Sequence, residues 1–346
     1  MRRHLNTLYV TSQDAWLNKD GLNVVVSVEG EERGRVPIHT IGAVVTFGRV
    51  LASPPLMGAC ADAGVTITHL TENGRFLARV EGPVSGNVLL RRTQYRWSDD
   101  VPRRDGVIRA IVIAKTANQR AVLARALRDH GDALSAPEKE ALEAACARLA
   151  EIARRCWKPV DGDTLRGYEG EAAHAYFSVF DHLIRGDKAE FKFNGRSRRP
   201  PLDAVNALLS FVYVLLAADA RSALETVGLD PAVGFLHRDR PGRPSLALDL
   251  MEEFRPFFAD RLALSLINRR QLGPKDFRKI ENGAVLLNDD GRKAVLVAYQ
   301  ERKRDELVHP FIEEKMTVGL LWHVQAQLLA RHLRGDLDGY PPFLWK

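Results

Sequence analysis

The hydrophobic period of this chain changes near residue 107, and that change constrains its architecture more than any other feature. Up to about residue 92, apolar residues come in short β-branched or alternating runs: LYV, LNVVVSV, RVPIH, AVVTF, VTITHL and RFLARV. Alternation with a period of two is what a half-buried strand requires. Turn formers punctuate the runs at Lys19-Asp20-Gly21, Glu29-Gly30 and Asn73-Gly74, and the Asn-Gly pair predicts a hairpin. Pro54–Ala63 predicts one short helix among them. From Val107 onward the apolar spacing becomes three or four, opened by Ile108, Ile111, Lys115, Val122 and Leu123. Residues 137–156 predict an amphipathic helix capped by Ser135, and Leu208–Ala218 a buried helix entered through Asp203. The expected fold is α+β. A β-sheet-rich domain, a sandwich or roll, spans residues 1–92, and a polar, proline-broken connection spans 93–106. A larger all-α domain spans 107–346, with a β-hairpin at Ala284–Leu296 as its one exception.

Within the helical part, Gly234–Pro256 reads GFLHRDRPGRPSLALDLMEEFRP. Pro244-Ser245 offers an N-cap hydroxyl, and Pro256 predicts the end of a short helix. Leu246, Leu250, Phe254 and Phe257 recur near helical spacing and should face a core. Asp249, Glu252 and Glu253 lie three and four apart, so they are expected to share another face. His237 and a turn of carboxylates are what a hard divalent ion requires, and Arg238, Arg240, Arg243 and Arg255 surround them. A surface helix pairing its acidic face with a basic loop would show the same residues.

Thr164–Ile184 bears on that choice. An apolar stripe of Ala173, Tyr176, Phe177, Phe180 and Ile184, extended backwards, lands on Glu169. A carboxylate on a buried face needs a cation or a hydrogen-bond network. A glutamate from one helix, a histidine from a loop and a carboxylate from a second helix make a three-ligand site with room for water and phosphate. Oxygen-rich ligation with one imidazole suits Mg2+ or Mn2+. Cys60, Cys146 and Cys156 are scattered and form no paired zinc motif.

These residues resemble the CRISPR adaptation endonuclease/integrase family, in forms that accompany multisubunit interference complexes. The likeness is carried by GYEGEAAHAYF around Glu169, RRPPLDAVNALLSFVY from Arg198, GFLH…LALDLMEEFRP, and the C-terminal VHPFIEEKMTVGLLWHVQAQLLARHLRGDLDGYPPFLWK. The resemblance implies that the all-α domain is catalytic, with metal ligands at Glu169, His237 and Glu252 and a supporting acidic position at Asp249. It leaves open whether His237 is a ligand or a proton carrier. The implied reaction inserts short DNA duplexes, new spacers, into a CRISPR array by 3′-hydroxyl attack on a phosphodiester. Implied partners are double-stranded prespacer and repeat DNA, a second copy of the chain through the β-rich domain, and a small second adaptation protein completing a heterohexamer.

Charge agrees with a polyanionic partner: the formal net charge is +6 and the sequence pI about 9.3. Arginines cluster in several loops, and Arg198, Arg199, Arg238, Arg240, Arg243, Arg269 and Arg302 are the candidate DNA contacts. Lys188–Pro201 reads as a mobile basic loop near the site. The basic Met1-Arg2-Arg3 is followed by no signal-like apolar run, and no stretch is long enough for a membrane span, so a cytoplasmic protein without membrane contact is expected. The tail aromatics Tyr340, Phe343 and Trp345, with Leu344, either meet a partner or fold back onto their own domain. Two rival functions stay open: a nuclease for branched DNA in repair, and a non-catalytic DNA-binding scaffold.

Overall fold

The computed structural model describes residues 6–82 and 88–345; the Met1-Arg2-Arg3 start and residues 83–87 at the end of the expected β-rich region lie outside them. The described residues form two compact units. One holds the chain up to residue 82 together with Leu287–Arg304; the other holds 88–286 and 305–345.

In the first unit, β1 (Asn6–Val10), β2 (Ala15–Asp20), β3 (Asn23–Val28), β4 (Glu31–Pro37), β5 (Ile41–Phe47), β6 (Val50–Ala52), β7 (Thr66–Leu70) and β8 (Phe76–Val80) form two four-stranded sheets. Their orders are β4-β3-β2-β6 and β1-β5-β7-β8. The first is an antiparallel meander with β6 added parallel to β2. In the second, β1, β5 and β7 run parallel and β8 returns antiparallel. The expected Asn73-Gly74 turn is there, with Gly74 at φ +83, a left-handed conformation that glycine adopts without steric cost. Ala15, Leu17, Val24, Val44 and Ile67 from both sheets make one core with Leu56 and Cys60 of helix α1 (Pro54–Asp62). Strand β5 is buried on both faces from Val44 to Phe47, as a central strand between parallel neighbours must be.

The second unit is helical: α2 (Val88–Asp99), α3 (Val101–His130), α4 (Ala136–Cys156), α5 (Gly162–Ser178), α6 (Ala204–Thr226), α7 (Ser245–Glu252) and α8 (Arg261–Asn268). Short strands β9 (Phe277–Lys279) and β10 (Val285–Leu287) pair next, followed by α9 (Asp289–Arg304), which belongs to the first unit. Strands β11 (Glu306–Val308) and β12 (Lys315–Thr317) and helix α10 (Leu321–Arg334) complete the chain. Helix α4 carries the expected cap, Ser135 with Glu138 reaching back to its backbone. Helix α6 is entered through Asp203, whose side chain accepts from Asn206 N at 2.7 Å. It has the length and hydropathy of a membrane span, yet Leu208, Leu209, Val212, Leu215 and Leu216 are buried inside the unit, so it is a core helix.

Three local expectations are corrected. Residues 93–106, read as a broken connection, are helical. Pro102 sits in the first turn of α3, where its missing N–H is not needed, and Asp100 caps that turn through Arg103 N at 3.2 Å. The hairpin expected at 284–296 is a strand only to Leu287. Asn288 then accepts from Gly291 N at 2.9 Å and starts α9, whose first turn carries Asp289 and Asp290 toward the positive helix end. Pro256 does not end the helical path after α7. Residues Arg255–Asp260 form a π-turn, with Ala259 N reaching Phe254 O across five residues, and lead directly into α8.

The tail folds back. Tyr340 OH donates to Glu253 Oε1 at 2.5 Å, Phe343 N to Glu253 Oε2 at 2.7 Å, and Trp345 N to Asn118 Oδ1 at 2.8 Å. The Phe343 ring packs on Phe254 and Phe257. Burial of the Glu253 carboxyl pushes it up to about 7 against those donors. Lys188–Pro201 has no regular structure but is anchored: Phe191 and Phe193 are buried, and Asn206 of α6 bonds Gly195 O and Ser197 N.

Candidate metal centre

Four segments of the helical unit meet at one point. Helix α5 presents Glu169, the loop before α7 presents His237, the last turn of α7 presents Glu252, and the middle of α3 brings Lys115. Helix α5 starts at Asp161, which caps Thr164 N at 2.8 Å. Its buried line runs through Leu165, Ala172 and Tyr176, so Glu169 lies on the inward face, as the stripe implied. The helix ends at Ser178, and Phe180 and Leu183 continue as a 3-10 turn rather than the single helix expected to Ile184.

His237 is held from both sides of its backbone. Asp249, fully buried, accepts from Phe235 N (2.6 Å) and Leu236 N (2.9 Å) with one oxygen, and from His237 N (2.9 Å) and Nδ1 (2.6 Å) with the other. Arg166 donates to Phe235 O (2.9 Å) and Leu236 O (2.7 Å). With Nδ1–H given to Asp249, the neutral ring keeps its lone pair on Nε2. Asp249, placed by sequence beside a metal, spends both oxygens on this loop and orients His237. Close approach makes it possible. A Cβ on Gly234 would stand 2.8 Å from Ser245 C and Cβ and 2.9 Å from Asp249 Oδ2. Gly234→Ala is therefore expected to push the loop off α7 and cost about 1–3 kcal/mol, as overpacking does. Urea denaturation checks this, and an unchanged midpoint would contradict the tight approach.

The carboxylates face cations. Lys115 Nζ bridges Glu169 Oε1 and Glu252 Oε2, the latter at 2.6 Å, and Arg255 Nη1 reaches Glu252 Oε1 at 2.7 Å. His237 Nε2 lies 3.9 Å from Glu252 Oε1. Burial raises the Glu252 carboxyl, but the charges of Arg255 and Lys115 outweigh burial and hold it well below the usual range. Glu252 keeps 2% of its side chain exposed against 27% for Glu169 and 20% for His237, so the cluster opens on the Glu169–His237 side. Glu253, expected on the same face, is turned one helical step away into the tail network.

The donor set fits a hard divalent ion: two carboxylates and an imidazole with Nε2 available. The side chains are nonetheless arranged around protein cations. Among the described residues, no three His, Cys, Asp or Glu side chains stand in ready ligating geometry. Lys115 went unrecognised as a site residue. The signal was a lysine on the apolar line of Ile108 and Ile111, a position that a lysine occupies only with a partner.

Beside the cluster lies a basic patch. Partial burial and then the like charges of Arg240, Arg199 and Arg198 hold the Arg243 guanidinium below its ordinary value, so these four candidate contacts are neighbours. Arg238 is tied to Asp163 at 2.8 Å. Arg269 follows α8, and Arg302 lies on α9 in the other unit. Arg255 stacks its guanidinium 4.5 Å from the Tyr213 ring centroid, and Arg196 stands 5.2 Å from the same ring.

Comparison with known proteins adds to this geometry. Residues 8–301 match the family model described as CRISPR associated protein Cas1. The CRISPR-associated endonuclease Cas1 2 of Rhodospirillum rubrum is 59% identical, with 100% of both chains covered. Among solved structures, a casposase bound to integration product has a TM-score of 0.84 at 22% identity, covering 99% of this chain and 94% of its own. A Cas6-RT-Cas1–Cas2 complex has a TM-score of 0.81 at 22% identity, covering 99% of this chain and 36% of its own. At that identity the two structures speak to the fold.

Proposed function

The chain belongs to the CRISPR-associated protein Cas1 family, and from that membership we propose that it is a divalent-metal-dependent DNA endonuclease and integrase. Its reaction is the insertion of short DNA duplexes into a CRISPR array, by attack of a 3′-hydroxyl on a phosphodiester; water as attacking group gives cleavage. The observation that supports this best is the meeting of Glu169, Glu252 and His237 Nε2 at an open cluster beside Arg198, Arg199, Arg240 and Arg243.

Glu169, Glu252 and His237 would hold Mg2+ or Mn2+, which supplies Lewis acidity toward a non-bridging phosphate oxygen and offsets charge on the leaving 3′-oxygen. Asp249 keeps the imidazole in the tautomer with Nε2 toward the cluster, which makes His237 a ligand rather than a proton carrier in this reading. The arginine patch binds the DNA backbone and sets its position, contributing affinity and salt dependence rather than sequence choice. The same reading gives partners: prespacer and repeat DNA, a second copy of the chain, and the small second adaptation protein, two dimers and a bridging pair making a heterohexamer. Exposed Trp16, Leu22, Leu51, Phe76 and Leu77 in the strand-bearing unit support a contact there between copies. The likeness to the chain in the Cas1–Cas2 complex supports the small partner.

The test is strand joining. The protein, the small partner, a labelled duplex with 3′-hydroxyl ends and a repeat-containing plasmid are mixed with Mn2+, with parallel reactions in EDTA and with Glu169→Ala. Joining that requires Mn2+ and is lost in the variant is expected. Cleavage without joining would favour the repair nuclease, and neither activity would favour the scaffold.

A further inference from the structure

Lys115 is buried, with 5% of its side chain exposed, in the middle of α3. Its ammonium meets two groups, Glu169 and Glu252, and both are proposed metal ligands. A buried ammonium is costly without compensating charge, so its place needs a reason. Packing does not provide one: a methionine would fill the same channel between α3, α5 and α7 without a charge to neutralise. Charge does. Glu169 and Glu252 together carry two negative charges, and Lys115 and Arg255 together carry two positive ones, so these four groups balance one another. A divalent ion entering between the carboxylates competes with the ammonium for the same oxygens, since Lys115 already bridges Glu169 Oε1 and Glu252 Oε2.

We propose that Lys115 is the resident cation of the site: it bridges Glu169 and Glu252 in the metal-free protein, holds α5 and α7 in register, and releases at least one carboxylate when a divalent ion binds. Lys115 is thus a positioning residue that sets metal affinity. The inference rests on the metal-dependent reading above and deepens it. Arg255 stays with Glu252 throughout, because its guanidinium is stacked on Tyr213 and reaches the other oxygen, Oε1.

The experiment uses the full chain and Mn2+ alone, without DNA. Wild type, Lys115→Met and Lys115→Arg are titrated with Mn2+ by calorimetry and by the electron paramagnetic signal of free Mn2+, and each is melted in EDTA and in Mn2+. Lys115→Met is expected to melt lower than wild type in EDTA, to recover in Mn2+, and to bind Mn2+ about tenfold tighter or more, since the ion no longer displaces a charged hydrogen bond. Lys115→Arg should bind no tighter than wild type. A methionine variant that folds only in Mn2+ is the same result in stronger form. Wild type binding Mn2+ while a folded Lys115→Met binds it no tighter overturns the proposal and leaves the metal reading standing. Binding by no variant and not by wild type overturns both. If Lys115→Met and Lys115→Gln fail to fold even in Mn2+, the fold needs the lysine independently of the ion, and the proposal is wrong.

Discussion

Glu252→Gln is expected to abolish Mn2+ binding and to lower metal-dependent DNA cleavage by about a thousandfold or more, the scale of losing a charge-bearing group on which the chemistry depends. Glutamine keeps the shape of the side chain, so the effect isolates charge. Glu252 is buried, takes Arg255 on one oxygen and Lys115 beside the other, and lies nearest of the acidic groups to His237 Nε2. Removing its charge leaves a buried guanidinium without its counter-ion and the ammonium with Glu169 alone. Breaking a buried pair in this way costs roughly 3 kcal/mol. Denaturation in EDTA reads that cost, calorimetry reads the ion, and cleavage of a labelled duplex reads the activity. Glu253→Gln is the control: an equally buried neighbour on the tail side, which should lower stability and leave Mn2+ binding in place. A Glu252→Gln protein that still cleaves within tenfold of wild type would remove Glu252 from the proposed site.

The second large effect is expected at a residue that need not touch the ion. Asp249→Asn should destabilise the protein by about 3–5 kcal/mol and lower activity together with metal affinity. An unsatisfied buried donor costs about 1–3 kcal/mol, and Asp249 serves four donors on the His237 loop. Asparagine can accept with one oxygen only, and its amide N–H groups must then face donors. The loop is expected to detach from α7, and His237 loses the partner that fixes its tautomer. Hydrogen exchange at the amides of residues 235–237 reports the detachment directly. Retained protection there, with unchanged stability, would show that the loop is held by Arg166 and packing rather than by Asp249.

The architecture was legible from the sequence wherever a signal was local. The alternating runs became the two sheets, Asp203 and Ser135 cap the helices assigned to them, and Asn73-Gly74 turns a hairpin. Two readings failed for a local reason too. Pro102 and the Asn288-Asp289-Asp290-Gly291 run are ambiguous, because the residues that break a helix inside it also start one at its first turn. Context, in the form of what each helix packs against, resolved the ambiguity.

At the site, the sequence determined which side chains are available and which helix faces they share: Glu169 on the buried line of α5, and Asp249 and Glu252 one turn apart on α7. These follow from the helical repeat, which is a property of neighbouring residues. The tertiary structure alone decided what each group does. Lys115 lies 54 residues from Glu169 in the chain, and Glu253 lies 90 from Phe343. Glu252 and Glu253 differ in role because successive side chains leave a helix about 100° apart, one toward Lys115 and Arg255 and the other toward the tail. A charge in a protein interior is defined by the partner that desolvation forces on it, and that partner is supplied by packing between segments distant in the chain.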